Sequence, residues 1–201
     1  MEIIKDSKES IMESLDAIAN DLIKNKALII NDAIYSIIDL EIYYWHHLHP
    51  DNYTNDHIRP IGEFELHRYG VDLSLGNQDE VDFGGILIRG LFDIKKYSYC
   101  PKSECVITKS DVVRTIYNNI CIGHNRFELI DYKTPWTNVF QSVRINLSDD
   151  SNKEKYKKSP YKYLAKDKEL YLKYPKKEKI FTDSNLSKEE KNNFIGYNLI
   201  K

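Results

Sequence analysis

Residues 33–45 read Ala33-Ile-Tyr-Ser-Ile-Ile-Asp39-Leu-Glu41-Ile-Tyr43-Tyr44-Trp45, a run that is apolar enough to predict a buried β-strand. Side chains alternate between the two faces of a strand, so Asp39, Glu41 and Tyr43 share one face. The opposite face is nearly all apolar, as a core face should be. Carboxylates inside such a strand must be paired, hydrogen-bonded or shifted in pKa, which is typical of functional sites. The alternative is that Asp39 and Glu41 lie on the solvated face of an antiparallel sheet.

A second predicted strand, residues 84–93, also carries one charge in an apolar run, at Arg89. A buried arginine needs an anionic partner. That partner could be a carboxylate such as Glu41, as a structural ion pair, or the phosphate of a ligand.

Hydrophobic periodicity and turn residues predict the other elements. These are an amphipathic helix over residues 7–26, a strand over 27–30 that forms a hairpin with the acidic strand, one or two strands within 62–76, a helix over 109–119, and strands over 125–132 and 140–148.

The composition is that of a globular protein, with 41% hydrophobic and 30% charged residues in a chain of 201. We expect residues 1–201 to form a single domain. No run approaches the ~20 apolar residues of a membrane span, and the N-terminus lacks the layout of a signal peptide. We therefore expect a cytoplasmic protein without a membrane partner. Three cysteines, an odd number, do not indicate a disulfide framework.

The charge is unevenly distributed. Residues 151–201 contain 14 lysines and seven acidic residues, a net charge of +7, which leaves −9 for the rest of a chain whose total is −2. This segment interleaves lysines with tyrosines, a mixture that can grip a nucleic-acid backbone. The candidates are Lys157, Lys158, Tyr161 and Lys162. The alternative is that the tyrosines pack on the core and the lysines lie outside.

Two groups of side chains have the types found in metal sites. One is a histidine-rich loop after the acidic strand, and the other a possible Cys3His set: His46, His47, His49 and His57, and Cys100, Cys105, Cys121 and His124. Neither group has the spacing of a strong zinc motif. The alternatives are locally hydrogen-bonded histidines and incidental or buried thiols.

Three motifs, in this order, resemble the alkyladenine (3-methyladenine) DNA glycosylase family of the methylpurine type. That family has a strand of the form Ile-Val-Glu-x-Glu-Ala-Tyr, a histidine in the next loop, and a strand of the form Val-Leu-Leu-Arg-Ala. The matching stretches are Ile37-Ile38-Asp39-Leu40-Glu41-Ile42-Tyr43, then His57, then Ile86-Leu87-Ile88-Arg89-Gly90. Residues 141–148 look like a late strand of the family, and the likeness covers roughly residues 15 to 148.

The resemblance implies an α+β fold with a curved antiparallel sheet, or partly closed barrel, and packed helices. It implies that Glu41 is the general base that activates water at C1′ of a flipped nucleotide, with Asp39 as a possible second acid. Arg89 would position the water, and Tyr43 and His57 would stack on the extruded base. The implied protein is a monomer that needs no cofactor and acts on double-stranded DNA carrying a modified base.

One part of the chain departs from the family pattern. Residues 62–74 are shorter and more polar than the family's tyrosine-rich strand; Tyr69 would replace its wedge and Asp72 its asparagine. Because no lysine stands out as a buried amine, we expect direct attack by water. The rival interpretations are a hydrolase of free nucleosides or nucleotides, and a non-catalytic protein that binds nucleic acid or protein.

Overall fold

The computed structural model describes residues 1–55, 59–67, 70–76, 82–108, 110–121, 126–145, 147 and 154–196. Within these residues the chain is mixed α+β. Ten strands form one curled, half-barrel antiparallel sheet, and helices pack against it. This confirms the predicted α+β class with a curved antiparallel sheet.

The helices and strands of the described residues have the following bounds. The helices are α1 (Lys8–Asn25), α2 (Ser110–Cys121), α3 (Glu154–Lys157), α4 (Lys177–Thr182) and α5 (Lys188–Ile195). The strands are β1 (Lys26–Ile30), β2 (Ala33–His46), β3 (His49–Pro50), β4 (Phe64–His67), β5 (Gly70–Ser74), β6 (Phe83–Asp93), β7 (Val106–Thr108), β8 (Phe127–Asp131), β9 (Val139–Ser142) and β10 (Lys162–Ala165).

Strand β2, the predicted acidic strand, lies at the centre of the sheet. The strand order is β4-β5-β6-β2-β1-β8. On one edge, β2 pairs with β6 from Tyr35 to Trp45. On the other edge it pairs first with β1, then with β10 at residues 39–41, and β10 continues the sheet to β9. Both edges of the acidic segment are therefore covered by neighbouring strands.

Helix α1 covers the apolar face of this centre. Ser7 begins the helix with a capping box in which its side chain and that of Ser10 satisfy each other's backbone amides. The apolar stripe predicted from the 3.6-residue period is buried against the sheet: Ile11, Leu15, Ile18 and Leu22. The predicted helix and the hairpin that follows it are confirmed.

The pairing of β2 with β6 contains a bulge. Ile37 is opposite Leu91, Asp39 is opposite Gly90 and Leu40 is opposite Ile88, so the register skips Ile38 on β2 and Arg89 on β6. Bulges of this kind redirect side chains and are frequent beside functional sites. The pairing has the same register on both sides of this point, since Ile37 is opposite Leu91 and Leu40 is opposite Ile88.

The C-terminal segment is part of the core. Besides β10 it forms three short helices and a 3-10 turn at Lys168–Tyr171, none of which the sequence analysis predicted. Its aromatic side chains are buried in the same hydrophobic cluster as α1 and the sheet: Tyr156, Tyr161, Tyr163, Tyr171, Tyr174, Phe181 and Phe194. The interpretation in which the tyrosines pack on the core is confirmed.

The other predicted elements are present, one of them with a different length, and the short strands β3 and β7 were not predicted. The two strands within 62–76, the helix after residue 109 and the strand within 125–132 are present as β4, β5, α2 and β8. The predicted strand over 140–148 is wrong in length, because β9 ends at Ser142. Among the helices of the described residues, none is both long and apolar enough to cross a membrane.

Candidate functional site

Asp39 and Glu41 are completely enclosed. Each residue is 1% exposed, although both are acidic. The alternative that they lie on a solvated face is therefore wrong. A buried carboxylate is tolerated only when it is paired and hydrogen-bonded, so the partners of these two residues define the site.

Lys162 lies between the two carboxylates. Its Nζ is 2.5 Å from Asp39 Oδ1 and 3.2 Å from Glu41 Oε1, and the residue is 1% exposed. Strand β10 places it there, since Lys162 is directly opposite Glu41 in the antiparallel ladder and opposite side chains share a face. The prediction that Lys162 contacts a DNA backbone is wrong, because a buried ammonium held by two carboxylates offers no surface to a phosphate. In the sequence no lysine stood out as a buried amine nucleophile, whereas the structure buries the amine of Lys162.

Three further side chains contact the two carboxylates. The Tyr174 hydroxyl donates to Asp39 Oδ2, and the Tyr43 hydroxyl donates to Glu41 Oε2 over 2.9 Å. Arg89 Nε is 3.9 Å from Glu41 Oε1, and the Arg89 side chain is 13% exposed. Of the two kinds of partner left open for Arg89, the structure shows the carboxylate of Glu41, in a structural ion pair. The two carboxylates, the lysine and the arginine have formal charges that cancel, so the buried cluster is neutral.

These partners keep Glu41 ionised. Burial alone would raise the pKa of the Glu41 carboxyl, but the positive charges of Lys162 and Arg89 and the hydrogen bond from Tyr43 outweigh it. The pKa of Glu41 is consequently below its ordinary value. Burial and the neighbouring Glu41 carboxylate raise the pKa of Tyr43, so its phenol remains a hydrogen-bond donor at neutral pH.

A second buried ion pair supports the Tyr43 ring. The Arg144 guanidinium forms a two-pronged contact with Asp51, with distances of 2.6 and 3.2 Å, and both side chains are fully buried. Arg144 also donates to the main-chain oxygen of Ile42. Its guanidinium carbon is 4.6 Å from the centre of the Tyr43 ring, within the range of a cation–π contact. One face of the Tyr43 ring is thus occupied by a rigidly held cation.

His49 has a structural role in this layer. Its Nδ1 is 3.0 Å from the main-chain oxygen of Tyr44, so Nδ1 carries the proton, and Nε2 accepts from the Tyr161 hydroxyl. Burial lowers the pKa of His49, which favours this neutral form. The alternative of a locally hydrogen-bonded histidine is confirmed for His49. Tyr161 is 3% exposed, so its predicted contact with a DNA backbone is wrong.

Asp72 faces the site from strand β5. It is opposite Leu87 on β6, which is itself opposite Glu41 on β2, so these side chains share one face of the sheet. Its Oδ2 is 3.2 Å from His67 Nε2. The hydrogen bond to Asp72 raises the pKa of His67, with burial opposing it. Asp72 is therefore half-buried on the face that carries Glu41, two strands away.

The structure does not bring the other predicted residues that it describes to this site. His57, Tyr69 and His124 lie outside the described residues. Lys157 is half-buried and Lys158 is exposed. Cys100 and Cys105 are free thiols, and Cys105 Sγ donates to the main-chain oxygen of Pro101. Within the part of the chain that the structure describes, no three histidine, cysteine or acidic residues are grouped as metal ligands.

The structure places around the site four residues to which the sequence analysis gave no role there. Asp51, Arg144 and Tyr174 had no assigned role, and Lys162 was assigned to a DNA backbone. For two of these four residues, the sequence does carry the signal of a buried charge. Lys162 lies in a run of bulky apolar residues, Tyr161 to Ala165, and Arg144 lies between Val143 and Ile145. Both repeat the pattern that identified Arg89. Asp51 and Tyr174 lie in turn-rich sequence that carries no such signal.

Comparisons with known proteins give no family for this chain. No model of a protein family matches it, and no curated protein matches it.

Proposed function

We propose that this protein hydrolyses the N-glycosidic bond of a modified base in DNA, with Glu41 as the group that activates water. The observation that carries the proposal is the meeting of Glu41, Tyr43 and Arg89 around one buried carboxylate. These are the residues that the resemblance to methylpurine-type glycosylases assigns to catalysis and base binding. They come from two separate motifs, which the pairing of β2 with β6 brings together, since Glu41 is opposite Leu87, two residues before Arg89.

The chemistry of the site suits this reaction. Glycosidic cleavage builds positive charge on the sugar, and a fixed carboxylate stabilises that charge while it takes a proton from the attacking water. Glu41 is ionised, and its hydrogen-bond partners hold its orientation. In this proposal Arg89, the more exposed cation of the cluster, orients the water beside Glu41.

In the proposed reaction, the base would contact residues on the face of the sheet that carries Glu41. Arg144 covers one side of the Tyr43 ring, so an extruded base would stack on the other side. Gly85 lies opposite Tyr43 in the ladder and adds no side chain there. Asp72 is two strands from Glu41, roughly 10 Å at the usual strand spacing. A sugar at Glu41 would therefore place its base toward Asp72, whose carboxylate would select among base edges.

The C-terminal segment supplies positive charge for a DNA backbone. Several of its lysines are exposed: Lys158, Lys166, Lys168, Lys173 and Lys176. Two of them pair with acidic residues, Lys166 with Glu190 and Lys173 with Glu104. Surface pairs of this kind are weak and exchange readily for phosphates. We therefore expect DNA binding of moderate affinity that weakens with salt.

The test is base release from a panel of duplex oligonucleotides carrying hypoxanthine, 1,N6-ethenoadenine or methylated purines. Unmodified duplexes and the matching free nucleosides are the controls. We expect release from at least one modified duplex and no release from the unmodified one. Release from the free nucleosides alone would assign the site to a small-substrate hydrolase, and release from no substrate would contradict the proposed function.

A further inference from the structure

The position of Lys162 is fixed by the backbone. Strand β10 lies between β9 and β2, with Lys162 directly opposite Ser142 on one side and Glu41 on the other. The neighbouring Tyr163 points to the opposite face, where its hydroxyl contacts Asp16 of α1. A shift of β10 that removed Lys162 from Glu41 would therefore also remove Tyr163 from the core. The contact between lysine and carboxylate is a consequence of the fold and not of one side-chain rotamer.

Lys162 is held from two sides. Its Nζ contacts Glu41 and also Asp39, whose second oxygen accepts from the Tyr174 hydroxyl. Lysines are almost never fully buried unless they are paired, and this one is paired with two anions. Arg89 could neutralise only one of the two carboxylates, so the charge balance of the cluster requires Lys162 as well.

We propose that Lys162 is the positioning residue of this site, whose ammonium fixes the Glu41 carboxylate as an oriented anion that is ready to accept a proton from water. This inference rests on the proposed function for the reaction itself. The groups that face Lys162 and Glu41 from the surrounding elements are Asp39, Tyr43, Arg89 and Tyr174. Asp39 is the counter-ion that holds the ammonium in place, and Tyr174 holds Asp39.

The same geometry disfavours Lys162 as a nucleophile. An amine attacks carbon through its lone pair, and an ammonium has none. Lys162 would first have to transfer a proton to Asp39 or Glu41, which would break up the ion pair that holds the Glu41 carboxylate. Attack by a water molecule that Glu41 activates needs no such transfer, so the proposal assigns the attack to water and not to a Schiff base with the sugar.

The first test measures the ionisation of Glu41 without any substrate. Carbon-13 NMR of labelled glutamate follows the Glu41 carboxyl with pH in the wild type, Lys162→Met and Lys162→Arg. We expect the pH midpoint of Glu41 to rise in Lys162→Met and to return toward the wild-type value in Lys162→Arg. Lys102→Met is the matched control, because Lys102 also lies between two carboxylates, Asp167 at 2.7 Å and Glu169 at 3.5 Å, but on the surface. An unchanged Glu41 midpoint in Lys162→Met would overturn the proposal.

A second comparison of variants keeps the proposal testable if Lys162→Met does not fold. Lys162→Met alone leaves two buried carboxylates facing one arginine, which is strongly destabilising. The double variant Asp39→Asn/Lys162→Met removes one charge of each sign and is compared with Asp39→Asn, so the pair differs only at Lys162. The Glu41 midpoint should be higher in the double variant than in Asp39→Asn; equal midpoints would overturn the proposal.

The last test uses the reaction. With a duplex that the wild type cleaves, we expect Lys162→Met to lower kcat at neutral pH by roughly a hundredfold, the lower end of what a general base contributes. The acid limb of its pH profile should move to higher pH, DNA binding should be retained, and Lys162→Arg should recover much of the rate.

Borohydride reduction with abasic duplex should trap no covalent adduct, and an adduct lost in Lys162→Met would overturn the proposal. A shifted Glu41 midpoint without base release by the wild type would instead reject the proposed function and leave the effect of Lys162 on Glu41 standing.

Discussion

Asp39 and Glu41 show how a strand can bury two carboxylates when neighbouring side chains balance their charges. Each is satisfied by a lysine and by one tyrosine hydroxyl, Tyr174 for Asp39 and Tyr43 for Glu41. A hydrogen bond to a charged group contributes about 1.5–3 kcal/mol, and leaving such a group unsatisfied costs more than leaving a neutral one. The tyrosines are therefore as much a part of the charge cluster as the lysine.

The variant Tyr174→Phe tests this view for Asp39. It keeps the ring, which packs on Tyr171, and removes only the hydroxyl that donates to the carboxylate. We expect the free energy of unfolding to fall by about 2 kcal/mol, the value for a hydrogen bond to an ion, as measured by urea denaturation. Tyr117→Phe is the control, since Tyr117 is 60% exposed. An equal and small effect of both substitutions would show that the Tyr174 hydroxyl is not a partner that Asp39 requires.

The bulge between β2 and β6 lies beside the site. It removes Ile38 and Arg89 from the regular ladder, and the Ile38 carbonyl oxygen lies 3.2 Å from the Tyr171 hydroxyl. Arg89 is two residues from Leu87, which is opposite Glu41, so the ladder itself places Arg89 on the face that carries Glu41. Gly90 at the bulge leaves space for its neighbours, because a Cβ there would be 2.9 Å from the Tyr174 hydroxyl and 3.0 Å from Asp39 Cβ.

We expect Gly90→Ala to destabilise the protein by about 1–3 kcal/mol, the usual cost of overpacking a well-filled core. Urea denaturation measures this effect. Gly85→Ala on the same strand is the matched control, because its Cβ would stand 3.4 Å from Asp72 Cβ, an ordinary contact. If Gly90→Ala is no more destabilising than Gly85→Ala, the bulge tolerates a side chain and the close approach is not required.

The elements differ in how well sequence predicts them, for physical reasons. α1 and the β1–β2 hairpin were predictable because a cap, an apolar period and a turn all lie within the local sequence. Arg89 and Glu41 were identifiable because a charge in an apolar strand must find a partner. The bulge was not predictable, since register depends on the partner strand and not on β2 alone. Lys162 was assigned to the surface because its partners are more than 100 residues away in the chain.

At the scale of the whole molecule, the C-terminal segment that begins at residue 151 is part of the folded core. Its strand β10 supplies Lys162 to the site, and its aromatic side chains join the core formed by α1 and the sheet. The charge difference between the two parts of the sequence therefore does not mark a separate DNA-binding tail. Among its described lysines, Lys162 lies inside the site, and several others are exposed: Lys158, Lys166, Lys168, Lys173 and Lys176.

Stability should decrease as the pH falls from neutral. Burial lowers the pKa of His49 in the folded state, so the stability that His49 contributes is present above its unfolded pKa of about 6.5 and is lost as the pH falls through its folded value. Glu41 contributes to the pH dependence of stability in the same direction, because its folded pKa is also lowered, and its contribution is lost at lower pH. His67 contributes in the opposite direction, because its folded pKa is raised, but it is partly exposed, so solvent screening reduces its contribution to stability.

Urea denaturation between about pH 7 and pH 5, on either side of the usual histidine pKa, measures this dependence. We expect the free energy of unfolding of the wild type to fall across this range and that of His49→Gln to be flatter, although lower at neutral pH. His47→Gln is the control, since His47 is exposed. Equal slopes for the wild type and His49→Gln would mean that His49 is not buried as a neutral ring.

The most direct test of the proposed function is the single-turnover rate of base release by Glu41→Gln, measured against the wild type on the same modified duplex. The substitution keeps the size and shape of the side chain and removes its charge. The account predicts a rate at least about a hundredfold lower, as expected for loss of a general base, with the Kd for the duplex unchanged. Base release at the wild-type rate by Glu41→Gln would contradict the account.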